Sequence, residues 1–384
     1  MLTPSCALFV QEDDDEEELF TDEEDDIDVA LFTDEEDDID AAFAPDKEDR
    51  LHERFRFTAD PHQSLLRIDK FLIDRMTHTS RNRIQLAAEA DCIWVNGKPV
   101  KSAYRVKPLD VITIMMARPR NEFAIIPEDI PLNIVYEDDV LLVVNKPAGL
   151  VVHPGHGNYQ GTLVNALAWY LKDDPLYDPT DQSVGLIHRI DKDTSGLLVI
   201  AKRPEAKTNL SLQFFNRTTQ RKYLAVVWGI PKTDEGRIEG NIGRDAHNRL
   251  MMAVYPSDEE QGKAAVTHYH VLEKFGYVAS LECRLETGRT HQIRTHLKHI
   301  GHPVFNDERY GGNVILKGLP TTKYNQFIHN CFQVCPRQAL HAKTLGFTHP
   351  ATGEHLFFDS ELPDDMKGLM ERWRKFCFGM NNEQ

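Results

Sequence analysis

The stretch from Gly185 to Lys202 sets six ionisable side chains, His188, Arg189, Asp191, Lys192, Asp193 and Lys202, around the turn residues Thr194, Ser195 and Gly196. It runs directly into an apolar strand, Leu197 to Ala201. Charges beside a buried strand are costly unless they are paired or have work to do, and a loop around an active site supplies both. A carboxylate held there suits nucleophilic or general-base chemistry. A second cluster runs from Glu286 to His299 and carries Arg289, His291, Arg294, His296 and His299. The intervals of five and three between those histidines do not put two ligands one helical turn apart with a supporting carboxylate, so they read as polar surface or nucleic-acid-facing histidines and not as a metal site. Lys222-Tyr223 opens a third element; a tyrosine at a strand start is by itself core or rim.

These side chains need a frame. The second cluster has the form strand, turn, helix: Ser280 to Leu285 alternates, Gly288 and Thr290 turn, and Ile293, Leu297 and Ile300 recur at helical spacing up to a stop at Gly301. Tyr223 to Val227 and Leu141 to Asn145 read as strands, and Thr162 to Lys172 as an apolar helix. Gly155, Gly157 and Gly161 do not have dinucleotide-binding spacing, and no acidic residue follows a second strand at the required distance. A separate unit precedes this one. Ile68, Phe71 and Leu72, then Ile84, Leu86 and Ala87, predict two short helices, with Ser80 as N-cap of the second and Arg81 and Arg83 in its first turn. The helix dipole does not favour cations there, so their placement suggests an anionic ligand. Cys92 to Val100 reads as strand, Asn-Gly turn and strand, with a third strand at Asp110 to Ile114. The expected divisions are an acidic disordered arm over 1–60, a small RNA-binding unit over 62–118, a linker over 119–132 and a large domain over 133–384.

The formal charge of -17 is misleading about partners. Residues 1–50 hold 22 of the 61 acids and only 2 of the 44 bases, so the remainder is slightly basic. That acidic segment carries LFTDEEDDID twice, from Leu19 and from Leu31, and is too poor in apolar residues to offset the entropy of ordering. Six scattered cysteines without CxxC pairs predict neither disulfides nor zinc; Cys331 and Cys335 read as buried thiols. No apolar run reaches a membrane span and the start lacks a signal peptide's positive charge, so a cytoplasmic protein is expected.

Arg67 to Met115 resembles the S4 RNA-binding domain, with Leu109 where that family usually has Gly before the Asp of the final strand. The resemblance implies RNA contacts at Arg67, Lys70, Arg81 and Arg83. Asn133 to Phe358 resembles the RluA family of pseudouridine synthases through His188 to Gly196, Lys222-Tyr223, Gly288 to Leu297 and Arg337 to Ala342. Within that family, Val152 to Gly155 and Gly262 to Tyr269 place it nearest the type acting on large-subunit ribosomal RNA. Ile190 stands where Leu is commoner, and Asn306-Asp307 where Gly-Asp is usual. The resemblance implies an α+β fold with a mixed, largely antiparallel sheet, Asp191 as the catalytic carboxylate, Tyr223 beneath the target base, and Arg294 paired with Asp191. It implies that Arg189 fills the gap left by a flipped-out uridine, with His188 beside it, and that Arg217, Arg221, Lys222 and Arg289 line the phosphate path. Moving a uracil from N1 to C5 attachment needs no redox change, so no cofactor and no metal are expected. The carboxylate's target, whether C1', the base or the C2' proton, stays open. The expected partner is large-subunit ribosomal RNA or an assembling large subunit, met by a monomer. A non-catalytic assembly factor on the same scaffold, a related synthase with other rRNA or tRNA sites, and a metal-dependent hydrolase are the competing readings.

Overall fold

The computed structural model describes residues 52–73, 75–76, 81–116, 125–155, 158, 160–179, 181–248, 250–259 and 261–381. The acidic repeats, Cys6, Ser80 and the His156-Gly157 pair lie outside these residues.

The N-terminal unit contains β1 (His52–Thr58), β2 (Leu66–Arg67), α1 (Ile68–Ile73), α2 (Arg81–Glu89), β3 (Ile93–Val95), β4 (Lys98–Pro99), β5 (Arg105–Val106) and β6 (Val111–Met116). Its sheet runs β1-β6-β3-β4, all antiparallel, and β2 pairs with β5. Ile68, Phe71 and Leu72 of α1 and Ile84, Ala87 and Ala88 of α2 close over Ile93, Val95, Ile112 and Ile114, as the helical and alternating spacings require. The expected Asn-Gly turn is present, with positive φ at both Asn96 and Gly97. One boundary is corrected. His52 to Thr58 falls in the stretch expected as disordered arm, yet it is a strand along the full length of β6. Phe55 and Phe57 give it alternating strand character that the acidic composition upstream conceals, and pairing satisfies the otherwise open edge of β6.

The larger unit contains β7 (Ile134–Glu137), β8 (Leu141–Lys146), α3 (Leu163–Leu171), β9 (Ser195–Ala201), α4 (Pro204–Phe215), β10 (Gln220–Trp228), β11 (Glu235–Arg244), β12 (Met252–Tyr255), β13 (Lys263–Lys274), β14 (Val278–Leu285), α5 (Gln292–His299), α6 (Thr322–Val334), β15 (Leu340–Thr348), β16 (His355–Asp359) and α7 (Asp364–Asn381). One sheet runs β12-β11-β13-β14-β10-β15-β9-β8-β7, with β16 added beside β15. Among its described pairings only β9 with β15 is parallel, so the α+β, largely antiparallel expectation holds. Apolar residues on both faces of the central strands explain their unbroken burial: β9 is buried throughout, with Leu198 and Ile200 in one core and Leu197 and Val199 in another.

The expected linker is corrected in its second half. Ile125 and Leu132 pack on the main core, Asn165 Nδ2 donates to the Ile126 carbonyl, and Glu128 accepts from the Gly161 amide. The segment 125–132 is therefore fastened to the start of α3, whose N-cap Thr162 forms a capping box with Asn165.

Candidate active site

Asp191 stands at the end of the loop that feeds β9. Three arrangements fix that loop. Gly196 has φ +125 and crosses β15 so closely that a Cβ would lie 2.2 Å from the Ala342 carbonyl oxygen, so only glycine fits. Arg337 Nη1 donates to the Asp193 carbonyl at 2.9 Å while its Nε donates to Asp365 at 2.7 Å, tying the loop to α7. Lys146, fully buried at the end of β8, donates to the carbonyls of Pro147, Leu150 and Lys192. Burial draws its ammonium down to about 7, yet three carbonyl acceptors use all three protons of the charged form.

Arg294 comes from α5, 103 positions away in sequence, and its Nη1 donates to Asp191 Oδ2 at 2.8 Å. Its other edge is occupied. Nε and Nη2 donate to the two oxygens of the fully buried Asp307, at 2.7 and 2.9 Å. One guanidinium thus bridges two carboxylates, and the bidentate side sets the orientation of the side facing Asp191. Burial alone would raise the Asp191 pKa; His291, which carries charge only at low pH, together with the guanidiniums of Arg294 and Arg189 and the Arg294 hydrogen bond, overcomes this and holds it at about 2. Burial would lower the Arg294 pKa, and its two carboxylate partners drive it above its ordinary value instead. Asp191 is ionised at neutral pH in a largely enclosed position, with 23% of its side chain exposed.

Asp191 lies in a cleft of about 940 Å³. His188, Arg189, Tyr223, Arg221, Arg289 and Arg294 all line it, so the structure brings together in one cavity residues spread over more than a hundred positions. Tyr223 is 7% exposed on β10, and burial raises its hydroxyl pKa. Arg189 is exposed at the rim. Eight of the lining residues are Lys or Arg against four Asp or Glu, a surface suited to a polyanion.

Several expectations are refined. His188 is buried, stacked on Phe214, and its Nε2 accepts from the Val199 amide, so it forms a wall of the cleft; burial lowers it to about 3 and keeps it neutral. Arg221 is also buried, over the Phe214 ring. Lys222 does not line the cleft: it pairs with Glu282 at 3.0 Å, because neighbouring strand residues face opposite sides of the sheet. His296, expected as a polar surface histidine, is fully buried and its Nδ1 bonds the Thr267 hydroxyl. It lies on the core stripe of α5, one turn beyond Gln292, which the same stripe buries. His299 is exposed and His291 sits at the cleft.

In the N-terminal unit, Arg67 and Arg81 both donate to the fully buried Asp69, with 40% and 50% of their side chains still exposed. This pairing holds the Asp69 carboxyl far below its ordinary range. Lys70 is exposed beside them, and the Arg83 side chain lies outside the described residues. Sequence reasoning missed Asp307 as a site residue, along with Tyr310 and Gln292. The Asn306-Asp307 pair stood out in the sequence only as a departure from the family pattern, and nothing in its spacing pointed to Arg294, 13 positions upstream, as its partner. Gln292 accepts from the Arg289 amide and the Thr287 hydroxyl and donates to the Val266 carbonyl, pinning the turn before α5. Among the described residues no group of three His, Cys, Asp or Glu is disposed to hold a metal ion, and five cysteines are free thiols.

Residues 140–299 match the family model described as RNA pseudouridylate synthase, and residues 66–112 match the S4 domain. An uncharacterized RNA pseudouridine synthase of Chlorobaculum parvum is 48% identical over 81% of this chain and 95% of that protein. The ribosomal large subunit pseudouridine synthase D of Zymomonas mobilis is 41% identical over 79% of this chain and 93% of its own length. That of Nitrosomonas europaea is 42% identical over 80% and 85%.

Proposed function

The chain belongs to the RNA pseudouridylate synthase family, and on that premise we propose that it converts specific uridines of large-subunit ribosomal RNA to pseudouridine, with Asp191 as the reacting carboxylate. The observation that carries the reading is the Asp191–Arg294 pair at 2.8 Å inside a basic cleft that also holds Tyr223 and Arg189. The large-subunit substrate rests on relatives bearing that name at 40 to 42% identity.

In the reaction the N1–C1' bond breaks, a C5–C1' bond forms, the C5 proton is lost and N1 gains one. No electrons change hands. An ionised carboxylate at ribose or base level is needed, and Arg294 keeps Asp191 in that form against desolvation. The Arg294 contact occupies Oδ2 and leaves Oδ1 outside that contact. A stacked uridine cannot reach that position, so it must leave the helix at a cost of a few kcal/mol. Tyr223 offers a ring face for the everted base, and the exposed guanidinium of Arg189 is placed to stack in the gap. The S4 unit widens the RNA footprint through Arg67, Lys70, Arg81 and Arg83, and two tethered modest binders gain effective concentration. The same reading has a monomer working in the cytoplasm on free rRNA or an assembling subunit.

Mapping pseudouridines in cells lacking the protein tests the substrate. Loss at one or a few large-subunit positions, restored by the wild-type chain and not by Asp191→Asn, is expected. Unchanged large-subunit rRNA with loss in tRNA would overturn the substrate assignment.

A further inference from the structure

We propose that His291 is a second positioning residue of the site, a neutral donor whose Nε2–H faces the free oxygen of Asp191 and engages it when RNA fills the cleft. The inference rests on the reading of Asp191 as the reacting group. The two carboxylate oxygens are treated differently: Oδ2 accepts from Arg294 at 2.8 Å, while Oδ1 has His291 Nε2 at 4.0 Å, just beyond hydrogen-bond reach. That separation leaves Oδ1 free to react and keeps a donor within a small side-chain movement of it.

The tautomer follows from the neighbours. Tyr310 Oη accepts the Met252 amide at 3.0 Å and lies 2.9 Å from His291 Nδ1. The carboxylate oxygen beyond Nε2 favours the tautomer with its proton on Nε2, and Nδ1 then accepts from the Tyr310 hydroxyl. The Tyr310 ring is held in turn, edge-on to the His291 ring and under the Arg294 guanidinium, 4.9 Å from its centroid. His291 has φ +53, left-handed backbone that a non-glycine residue adopts rarely, and as N-cap of α5 it makes no side-chain capping bond. The His291 carbonyl accepts the first bond of α5, from the Thr295 amide, but its side chain caps nothing and is delivered to the cleft instead.

The charged groups facing the ring are Asp191, Asp307, Arg294 and Arg309. Burial lowers its pKa to about 4; the two carboxylates oppose this and the two guanidiniums reinforce it, so the ring stays neutral at working pH. A neutral donor steers Oδ1 without neutralising it. A cation there would hold the carboxylate too tightly to react, which is the difference between this contact and the one from Arg294.

The test measures single-turnover pseudouridine formation and RNA affinity for His291→Ala, His291→Gln, Tyr310→Phe and the double variant His291→Ala with Tyr310→Phe. Loss of one oriented donor predicts a rate about 10- to 100-fold lower for His291→Ala with RNA affinity within about twofold of wild type. His291→Gln, which keeps an N–H donor, recovers most of the rate. Tyr310→Phe retains the ring and lowers the rate less, and the double variant is no slower than His291→Ala, because Tyr310 acts through His291. An unchanged rate in His291→Ala, a loss residing wholly in RNA affinity, a Gln variant no better than Ala, or additive effects in the double variant would each overturn the proposal. Asp191→Asn is run alongside: activity there would refute the reading of the site itself, whereas an inactive Asp191→Asn with a normal His291→Ala refutes only this inference.

Discussion

At the scale of single residues, the site works because one guanidinium is shared unequally. Arg294 spends two donors on Asp307 and one on Asp191, so its geometry is set before substrate arrives. Lysine cannot reproduce that fork. Arg294→Lys is expected to lower single-turnover rate by about 10²- to 10³-fold with the protein still folded, checked by the rate and by a thermal melt. Asp307→Asn strikes from the other side. It leaves a buried guanidinium with one carboxylate in place of two, and a loss of about 3–5 kcal/mol in urea unfolding is expected, together with reduced activity. The loop carrying Asp191 stood out in the sequence because ionisable groups beside a strand call for a purpose, whereas the pairing of Asp191 with Arg294 and the place of Tyr223 came from the family resemblance. The role of Asp307 was not legible, because a single aspartate 13 residues from its partner carries no spacing signal; only the fold, which returns the chain past α5, brings them together.

Among elements, two departures from the family patterns turn out to be conformational. Leu109 stands where the S4 family usually has glycine, and its φ is +65; Asn306 stands where Gly precedes Asp, and its φ is +57. Both backbones keep the glycine conformation. Asn306 is suited to it, since asparagine tolerates the left-handed region and its Nδ2 donates to the Phe332 and Cys335 carbonyls. Leu109 has no such compensation: it is 62% exposed, while the following Asp110 accepts from Asn96, Tyr104 and the Lys107 amide and so locks the turn. Leu109→Gly should therefore raise stability by about 0.5–1 kcal/mol, read from the urea midpoint of the full chain. An unchanged or lower midpoint would show that the turn carries no strain. Periodicity located the helices α1, α3 and α5 and the strands β8, β9, β10 and β14. It failed for β1, because a seven-residue strand adjoining a long acidic run is submerged in that composition, and its partner β6 begins more than fifty residues later. It failed also for 125–132, whose order comes from bonds to α3 and not from any pattern of its own.

For the whole molecule, buried histidines and a basic cleft govern the response to solution conditions. His188, His296 and His341 are buried, and burial lowers them to about 3, 4 and 4. Their folded-state values lie below those of the unfolded chain, so the unfolded state takes up the extra protons. The stability they contribute is complete above about pH 6.5 and is lost as pH falls toward 4, at a slope of up to about 1.4 kcal/mol per pH unit for each histidine. Urea midpoints should fall steadily from pH 7 to pH 5; a flat profile would mean these rings can be protonated in place. RNA affinity should weaken as salt rises, with a shallower slope when Arg189 or Arg289 is replaced by Ala. The proton that leaves C5 reports directly on the role of Asp191. With a large-subunit rRNA transcript carrying tritium at C5 of its uridines, the wild-type chain is expected to release tritium in step with pseudouridine formation, and Asp191→Asn is expected to release none while binding the transcript normally. Tritium release by Asp191→Asn at the wild-type rate would contradict the assignment of Asp191 as the reacting group.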